Sequence, residues 1–329
     1  MLRSTLGICM LFACAASPAI AASPFAHPQQ MVDIGGRRLN LYCSGSGPVT
    51  VVLDSGSGDP GWNWQAVQPE VAKRTRACVY DRAGLGFSDP SPQPGTSSNA
   101  VADLHALLGK AGVKPPYVLV GHSYGGGNVQ LYTFRYPDEV KGLVLVEPAH
   151  EDEAKRLNAA SHGMSDKAAA MQMAMLHQCV DGSSKGFAPG SELAAMCTGG
   201  ADYQQGLPRD LIAARMASLT SPAYWRAAAS ESDNGETSDA QLGAARRSFG
   251  DLPLVVLTRG VSPYAVPGKP QSELNKAFEL ENRKIHIELA ATSTRGRERV
   301  VPGADHGIPI RQPQAVVQAV NEVLDQVSH

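Results

Sequence analysis

Apolar residues in this chain cluster into short continuous runs, and the segments between them carry helical spacing. Val49 to Leu53, Ala77 to Tyr80, Tyr117 to Val120 and Leu143 to Val146 are four such runs, rich in β-branched side chains. Runs of this length without polar alternation predict strands buried on both faces, as in a mostly parallel sheet. Between the second and third, Val101, Leu104, Leu107 and Leu108 recur at helical spacing, and Gly109 and Gly112 mark where that helix stops. Ser123 to Tyr136 reads as a helix ended by Pro137. Ahead of all this, Val32 to Ile34, Gly35-Gly36 and Arg38 to Cys43 predict a hairpin with a two-glycine turn.

From about 149 to 250 the alternation breaks. Asp166 to Val180, Pro208 to Leu219 and Ala223 to Ser230 have helical character, with no convincing strand among them. The strand–helix rhythm resumes with Pro253 to Leu257, a helix over Ser272 to Ala290, a short strand at Arg299 to Val301 and a last helix from Gln314 to Val327. The pattern predicts an α/β core, residues 31–148 and 251–329, carrying a helical insertion at 149–250.

The first residues follow another logic. Arg3, the apolar stretch Leu6 to Ala16 and the small-residue site Ala19-Ile20-Ala21 form the three parts of a secretory signal peptide, residues 1–21. An interfacial helix and a lipoprotein site at Cys14 are weaker alternatives, the latter because Phe12 is bulky. The expectation is export, periplasmic or secreted, with no stable membrane span. The 329 residues are 43% hydrophobic with a formal net charge of −2, so neither nucleic acid nor an anionic membrane is an expected partner. Cys43, Cys78, Cys179 and Cys197 remain after cleavage at the predicted site. Four cysteines in an oxidising compartment favour disulfides but allow three pairings, with buried free thiols as the alternative. No zinc-site spacing accompanies them, and no metal is expected.

One pentapeptide carries chemistry: Gly121-His122-Ser123-Tyr124-Gly125. Gly and Ser are common, so the motif alone says little. It follows the run Tyr117 to Val120 and opens a helix, the context that lifts a serine hydroxyl to the apex of a strained strand-to-helix turn. Gly121 and Gly125 are expected to keep that turn free of side chains. A structural turn with an idle serine is the alternative.

From about residue 31 to the end, the sequence resembles the α/β-hydrolase family. The resemblance rests on Val51 to Gly56 with Trp62 and Trp64, on Tyr80 to Ser88, on Gly121 to Gly126, and on Gly303-Ala304-Asp305-His306. It implies an eight-stranded, mostly parallel sheet flanked by helices, with the insertion in the family's lid position. It further implies Ser123 as nucleophile and His306 as its base, since a serine hydroxyl is weak without an adjacent base. His122 points away from the site by turn geometry, and His150, His162 and His177 are most simply solvated or insertion residues.

The third triad member departs from the commoner family variant. The run ending in Leu257-Thr258-Arg259 offers no acid, and the next carboxylate is Glu273. Val146-Glu147-Pro148, however, puts a carboxylate at the end of the preceding strand, where haloalkane dehalogenases carry theirs. Glu147 is therefore the expected acid, a structural ion pair with an arginine being the alternative reading. Asp305 adjoins His306 and is a poor rival. For the oxyanion the resemblance implies the backbone N–H groups of Tyr124 and Ser57, although Ser55-Gly56 replaces the family's usual His-Gly pair. Asp81, Gly84 and Gly86 are expected to shape a neighbouring loop.

The family's strand order would bring Cys43 to Cys78, leaving Cys179 and Cys197 to close a loop inside the insertion. The resulting expectation is a cofactor-free serine hydrolase acting on a small, partly apolar carboxylic ester. The same triad on an amide, lactone or carbon–carbon bond, or in perhydrolysis, is the alternative, and a non-catalytic binding protein is the rival from another class. Methionines of the insertion (Met164, Met171, Met173, Met175, Met196) suggest an adaptable apolar lid or ordinary helix packing.

Overall fold

The computed structural model describes residues 22–199 and 207–327, so the predicted signal peptide lies outside the described residues. Among the described residues eight strands form one sheet: β1 (Gln30–Asp33), β2 (Arg38–Ser44), β3 (Thr50–Asp54), β4 (Arg76–Tyr80), β5 (Tyr117–His122), β6 (Val140–Val146), β7 (Leu254–Arg259) and β8 (Gly296–Val301). Their order across the sheet is β1-β2-β4-β3-β5-β6-β7-β8. The hairpin β1–β2 and the pair β2–β4 are antiparallel, and the rest is parallel. The hairpin turns on Gly35 and Gly36, both at positive φ, as a two-residue loop demands.

Successive side chains of a strand point to opposite faces, and the unbroken apolar runs exist because both faces are covered. Val144 and Val146 of β6 join one core with Val51, Leu53, Val118, Val120 and Trp64. Leu143 and Leu145 join the other with Val52, Leu119 and Val256. Helices α1 (Gln68–Val71), α2 (Ser97–Lys110) and α3 (Tyr124–Arg135) accompany the first half of the sheet. The Oγ1 of Thr96 accepts the Asn99 N–H to cap α2, whose Val101, Leu104, Leu107 and Leu108 are buried.

Residues 149–250 hold six described helices: α4 (Glu153–Ala160), α5 (Met164–Lys185), α6 (Glu192–Thr198), α7 (Arg209–Leu219), α8 (Pro222–Asp233) and α9 (Gly235–Ala245). Three of them, α4, α6 and α9, were not legible in the sequence. The first two are too short to show a period. The chain then adds α10 (Glu273–Ala290), α11 (Ile308–Arg311) and α12 (Pro313–Val327) to the core. β8 begins earlier than its apolar end suggests, because Arg297, Glu298 and Arg299 keep this edge strand charged.

Both expected disulfides are present. Cys43 and Cys78 face each other directly across β2 and β4. Cys179 and Cys197 join α5 to α6 and pack with Trp225 of α8. No helix among the described residues is long and apolar enough to cross a membrane.

Candidate active site

β5 ends at His122 and α3 begins at Tyr124, so Ser123 alone makes the turn between them. Its backbone sits at φ 54° and ψ −119°, a strained conformation for a residue with a Cβ. Neighbouring backbone holds the strain in place. The Ser123 N–H donates to the Val146 carbonyl at 3.1 Å, and the Ser123 carbonyl accepts the N–H groups of Gly126 and Ala149 at 2.8 and 2.9 Å. A Cβ on Gly121 would run into the Gly125 carbonyl, and one on Gly125 into the carbonyls of Asp54 and Ser55. These obstacles are backbone atoms and cannot yield, which is the physical reason for glycine at both positions.

Glu147 follows β6 and also has a left-handed backbone, φ 45°. Its side chain is 1% exposed, and its Oε2 accepts from His306 Nδ1 at 3.2 Å. An ionised carboxylate can only accept, so Nδ1 carries the proton and Nε2 is left as a base. Glu147 is simultaneously paired with Arg259, at the end of β7: the Arg259 N–H donates to Oε1 at 2.6 Å and Nη1 to Oε2 at 2.5 Å. The carboxylate thus touches both a histidine and an arginine, the two partners that the sequence set against each other.

Burial by itself would raise the Glu147 pKa, but the His306 hydrogen bond and the Arg259 charge reverse that and hold it far below the ordinary carboxylate range. The His306 side chain keeps 46% of its surface exposed; desolvation of the rest works against the charged form, yet the bond to Glu147 and its charge raise the imidazole pKa above its ordinary value. The His122 ring lies 4.9 Å from that of His306, and its Nε2–H donates to the His306 carbonyl at 2.9 Å. Burial, then the charge of His306, lowers the His122 pKa to about 3, so His122 is a neutral tether for the loop that carries His306. Sequence reasoning had His122 pointing away from the site, whereas its ring packs against that of His306.

The loop after β3, which holds Ser57, packs its Asp54 and Ser55 carbonyls against the first turn of α3. Tyr124, first residue of α3, contributes one of the N–H groups that a helix leaves without an internal acceptor. The loop is gripped by Arg82, just after β4. Its guanidinium donates to Asp54 Oδ1, the Ser55 carbonyl and the Gly56 carbonyl at 2.7, 2.7 and 2.6 Å. Glu231 of α8 closes the cluster, accepting from Arg82 Nε and from the Gly58 N–H, each at 2.7 Å. The Gly58 N–H is thereby engaged, and the exposed Ser57 lies between the two held segments. Asp81 shapes the adjoining loop as expected, its oxygens accepting the N–H groups of Gly61 and Phe87 at 2.7 and 3.0 Å.

Sequence reasoning missed Arg82, Glu231 and Arg259. Arg82 lay inside a recognised landmark, but its partner Glu231 is 149 residues away, with no pattern to connect them. The rejected candidates are occupied elsewhere. Asp305 pairs with Arg311 at 2.7 Å, and Glu273 is 89% exposed beside Lys276. His177 pairs with Asp233 on the insertion surface. Asp59 and Glu153 also lie near enough to His306 to interact with its charge, and burial raises the pKa of each.

A cavity of about 470 Å³ opens beside Tyr124, between the segment Pro90 to Thr96 and α8, with Arg82 and Glu231 in its wall. Among the described residues no methionine lines it. Met175 packs on the Cys179–Cys197 cluster, whereas Met171 is 75% exposed.

The sequence profile described as the alpha/beta hydrolase family matches residues 51–319. A 2-hydroxymuconate semialdehyde hydrolase of Pseudomonas sp. (strain CF600) is 34% identical over 130 residues, 37% of this chain and 46% of that protein. An uncharacterized protein of Bacillus subtilis (strain 168) is 33% identical over 119 residues, 36% of this chain and 37% of that protein. The matched segments thus span less than half the length of these relatives. Among solved structures, a thermophilic esterase from Thermogutta terrifontis superposes with a TM-score of 0.59 at 22% identity, covering 88% of this chain and 94% of that one. An epoxide hydrolase superposes with a TM-score of 0.62 at 17% identity, covering 91% and 98%. Those two likenesses speak for the fold. With the profile running over most of its length and the sheet order described above, this chain belongs to the alpha/beta hydrolase family.

Proposed function

We propose that the chain is a serine hydrolase that cleaves a carboxylic ester through an acyl-enzyme. The observation that carries this reading is the strained turn at Ser123 after β5, together with the bonded pair of Glu147 after β6 and His306 in the loop after β8. Ser123 Oγ attacks the ester carbonyl while His306 Nε2 takes its proton. The Ser57 and Tyr124 N–H groups hold the developing oxyanion. The protonated His306 gives its proton to the departing alcohol, and a water activated by the same nitrogen then frees the acid. Glu147 keeps the ring in one tautomer and stabilises its charge without taking the proton.

The cavity beside Tyr124 has the size of a small-molecule site, but Ser57, Ser123 and His306 are not among the residues that line it, so the reading rests on the Glu147–His306 pair and the Ser123 turn alone. The two disulfides support function in an oxidising compartment, as export would provide. A second reading, hydrolysis of a semialdehyde such as 2-hydroxymuconate semialdehyde, draws support from the Pseudomonas relative.

A fluorophosphonate probe tests the common core of both. It is expected to label the native protein and not the Ser123→Ala variant, and a folded protein that stays unlabelled refutes the hydrolase reading. A panel of esters, lactones, amides and the semialdehyde then separates the two.

A further inference from the structure

Glu147 and Arg259 end adjacent parallel strands, and their contact is tighter than an ordinary ion pair. Arg259 uses its backbone N–H for one carboxylate oxygen and its Nη1 for the other, at 2.6 and 2.5 Å. Oε2 therefore receives two donors, Arg259 Nη1 and His306 Nδ1. The far edge of the guanidinium is fixed as well: Nε and Nη2 each reach Glu279 of α10 at 3.1 Å, and the group lies 5.5 Å from the Phe278 ring centre. The Arg259 side chain is 5% exposed. A planar fork held on both edges cannot swing, so it dictates the rotation of whatever carboxylate it grips.

We propose that Arg259 is the positioning residue of the Glu147–His306 pair, locking the carboxylate so that Oε2 is shared between guanidinium and imidazole and the ring is held in one orientation by a partly neutralised partner. The inference rests on the proposed reading of His306 as the base, but the geometry it uses does not depend on the substrate.

Several charged or titratable groups face this pair from different elements. Those acting on His306 are Glu147 after β6, Arg259 on β7, Glu153 on α4, Asp59 after β3 and His122 on β5. Glu147 also has His286 of α10 at 3.8 Å, kept from charging by its burial. Arg259 is the permanent cation of this set. It opposes a second positive charge on His306, so its removal strengthens proton binding there. A clasp between strand ends whose charge did not reach the imidazole would leave the protonation of His306 where it is.

The test is the titration of His306 in the full chain, followed by its imidazole carbon-bound protons in NMR and assigned by their loss in His306→Gln. In Arg259→Gln the midpoint is expected to rise by about one pH unit. In Arg259→Lys, which keeps the charge, it is expected to return most of the way. The pH at which fluorophosphonate labelling of Ser123 reaches half its maximum rate is expected to move with it. An Arg259→Gln protein that keeps its circular dichroism spectrum and its wild-type His306 midpoint overturns the proposal. Should the single variant not fold, Arg259→Gln/Glu279→Gln removes both charges together and gives the same readout. The two readings fail separately: a shifted midpoint when the wild-type protein is not labelled upholds Arg259 and removes the hydrolase reading, and wild-type labelling with an unmoved midpoint does the reverse.

Discussion

The carboxylate of Glu231 accepts the backbone N–H of Gly58 at 2.7 Å, joining a helix of the insertion to the loop that carries Ser57. The same carboxylate grips Arg82, whose guanidinium holds the carbonyls of Ser55 and Gly56. Glu231→Ala is therefore expected to loosen that loop and lower kcat about tenfold, less than the loss that follows outright removal of an oxyanion donor. KM should change little, and Glu231→Gln should keep most activity because its carbonyl oxygen still accepts from Gly58. Steady-state kinetics on a chromogenic ester decides; an Ala variant with wild-type kcat refutes the link.

The acid assignment divides Glu147 from Glu273. Glu147→Gln is expected to lower kcat by about four orders of magnitude, as losing the acid's control of tautomer does in other triads. It also leaves Arg259 short of a partner in a buried place, at a stability cost of about 3 kcal/mol. Glu273→Ala should leave kcat unchanged, since that side chain is 89% exposed and its partner is a surface lysine. Paired kinetics and thermal unfolding on the two variants would expose a wrong assignment at once.

On the proposed reading activity requires neutral His306, so kcat/KM should rise with pH through a midpoint above 6.5, the direction in which Glu147 moves the imidazole. Stability has two signs. The raised His306 pKa contributes stability that is full below 6.5 and is lost as pH climbs through the native value. The lowered Glu147 pKa contributes stability present above 4.5 and lost as pH falls through its much lower native value. A pH–rate profile tests the first statement, and unfolding midpoints measured below pH 4.5 and above 6.5 test the second.

Cys179 and Cys197 are 18 residues apart, and closing a loop of this length stabilises a fold by about 3 kcal/mol through chain entropy. Because the bridge joins two insertion helices, the double Cys→Ser variant should unfold or be cleaved by protease within 149–250 before the sheet is lost. Limited proteolysis with mass mapping shows where the first cut falls. Peptide mapping without reductant should recover Cys43 with Cys78 and Cys179 with Cys197, and free thiols at either pair would contradict the structure.

Much of the core was legible because unbroken apolar strands and a serine between glycines follow from local constraints. Leu143 to Val146 reads as buried on both faces from its composition alone, and the division of its side chains between two cores bears that out. Glu147 was singled out through the absence of an acid near Arg259, without any sign that Arg259 would hold it. What stayed hidden was long-range charge pairing. Arg82 and Glu231, or Arg259 and Glu279, announce themselves only once α8 and α10 are packed, since burial and partner choice are properties of the assembled layers. The short helices α4 and α6 were missed for the opposite reason, having too few residues to show a period.

The sheet order has a consequence for how variation is tolerated. Ser123 follows β5, with β3 and β4 leading into the loop and Arg82 on one side, and β6, β7 and β8 leading into or carrying Glu147, Arg259 and His306 on the other. On the proposed reading, charge accumulation on the substrate is handled chiefly from one wing of the sheet and proton traffic from the other, with β5 between them leading into Ser123 and Tyr124 and carrying the His122 that tethers His306. Changes confined to opposite wings should combine additively in double-mutant cycles, while changes within a wing should not. Such a partition lets the proton-handling wing be retuned for a new working pH while the other wing keeps its geometry.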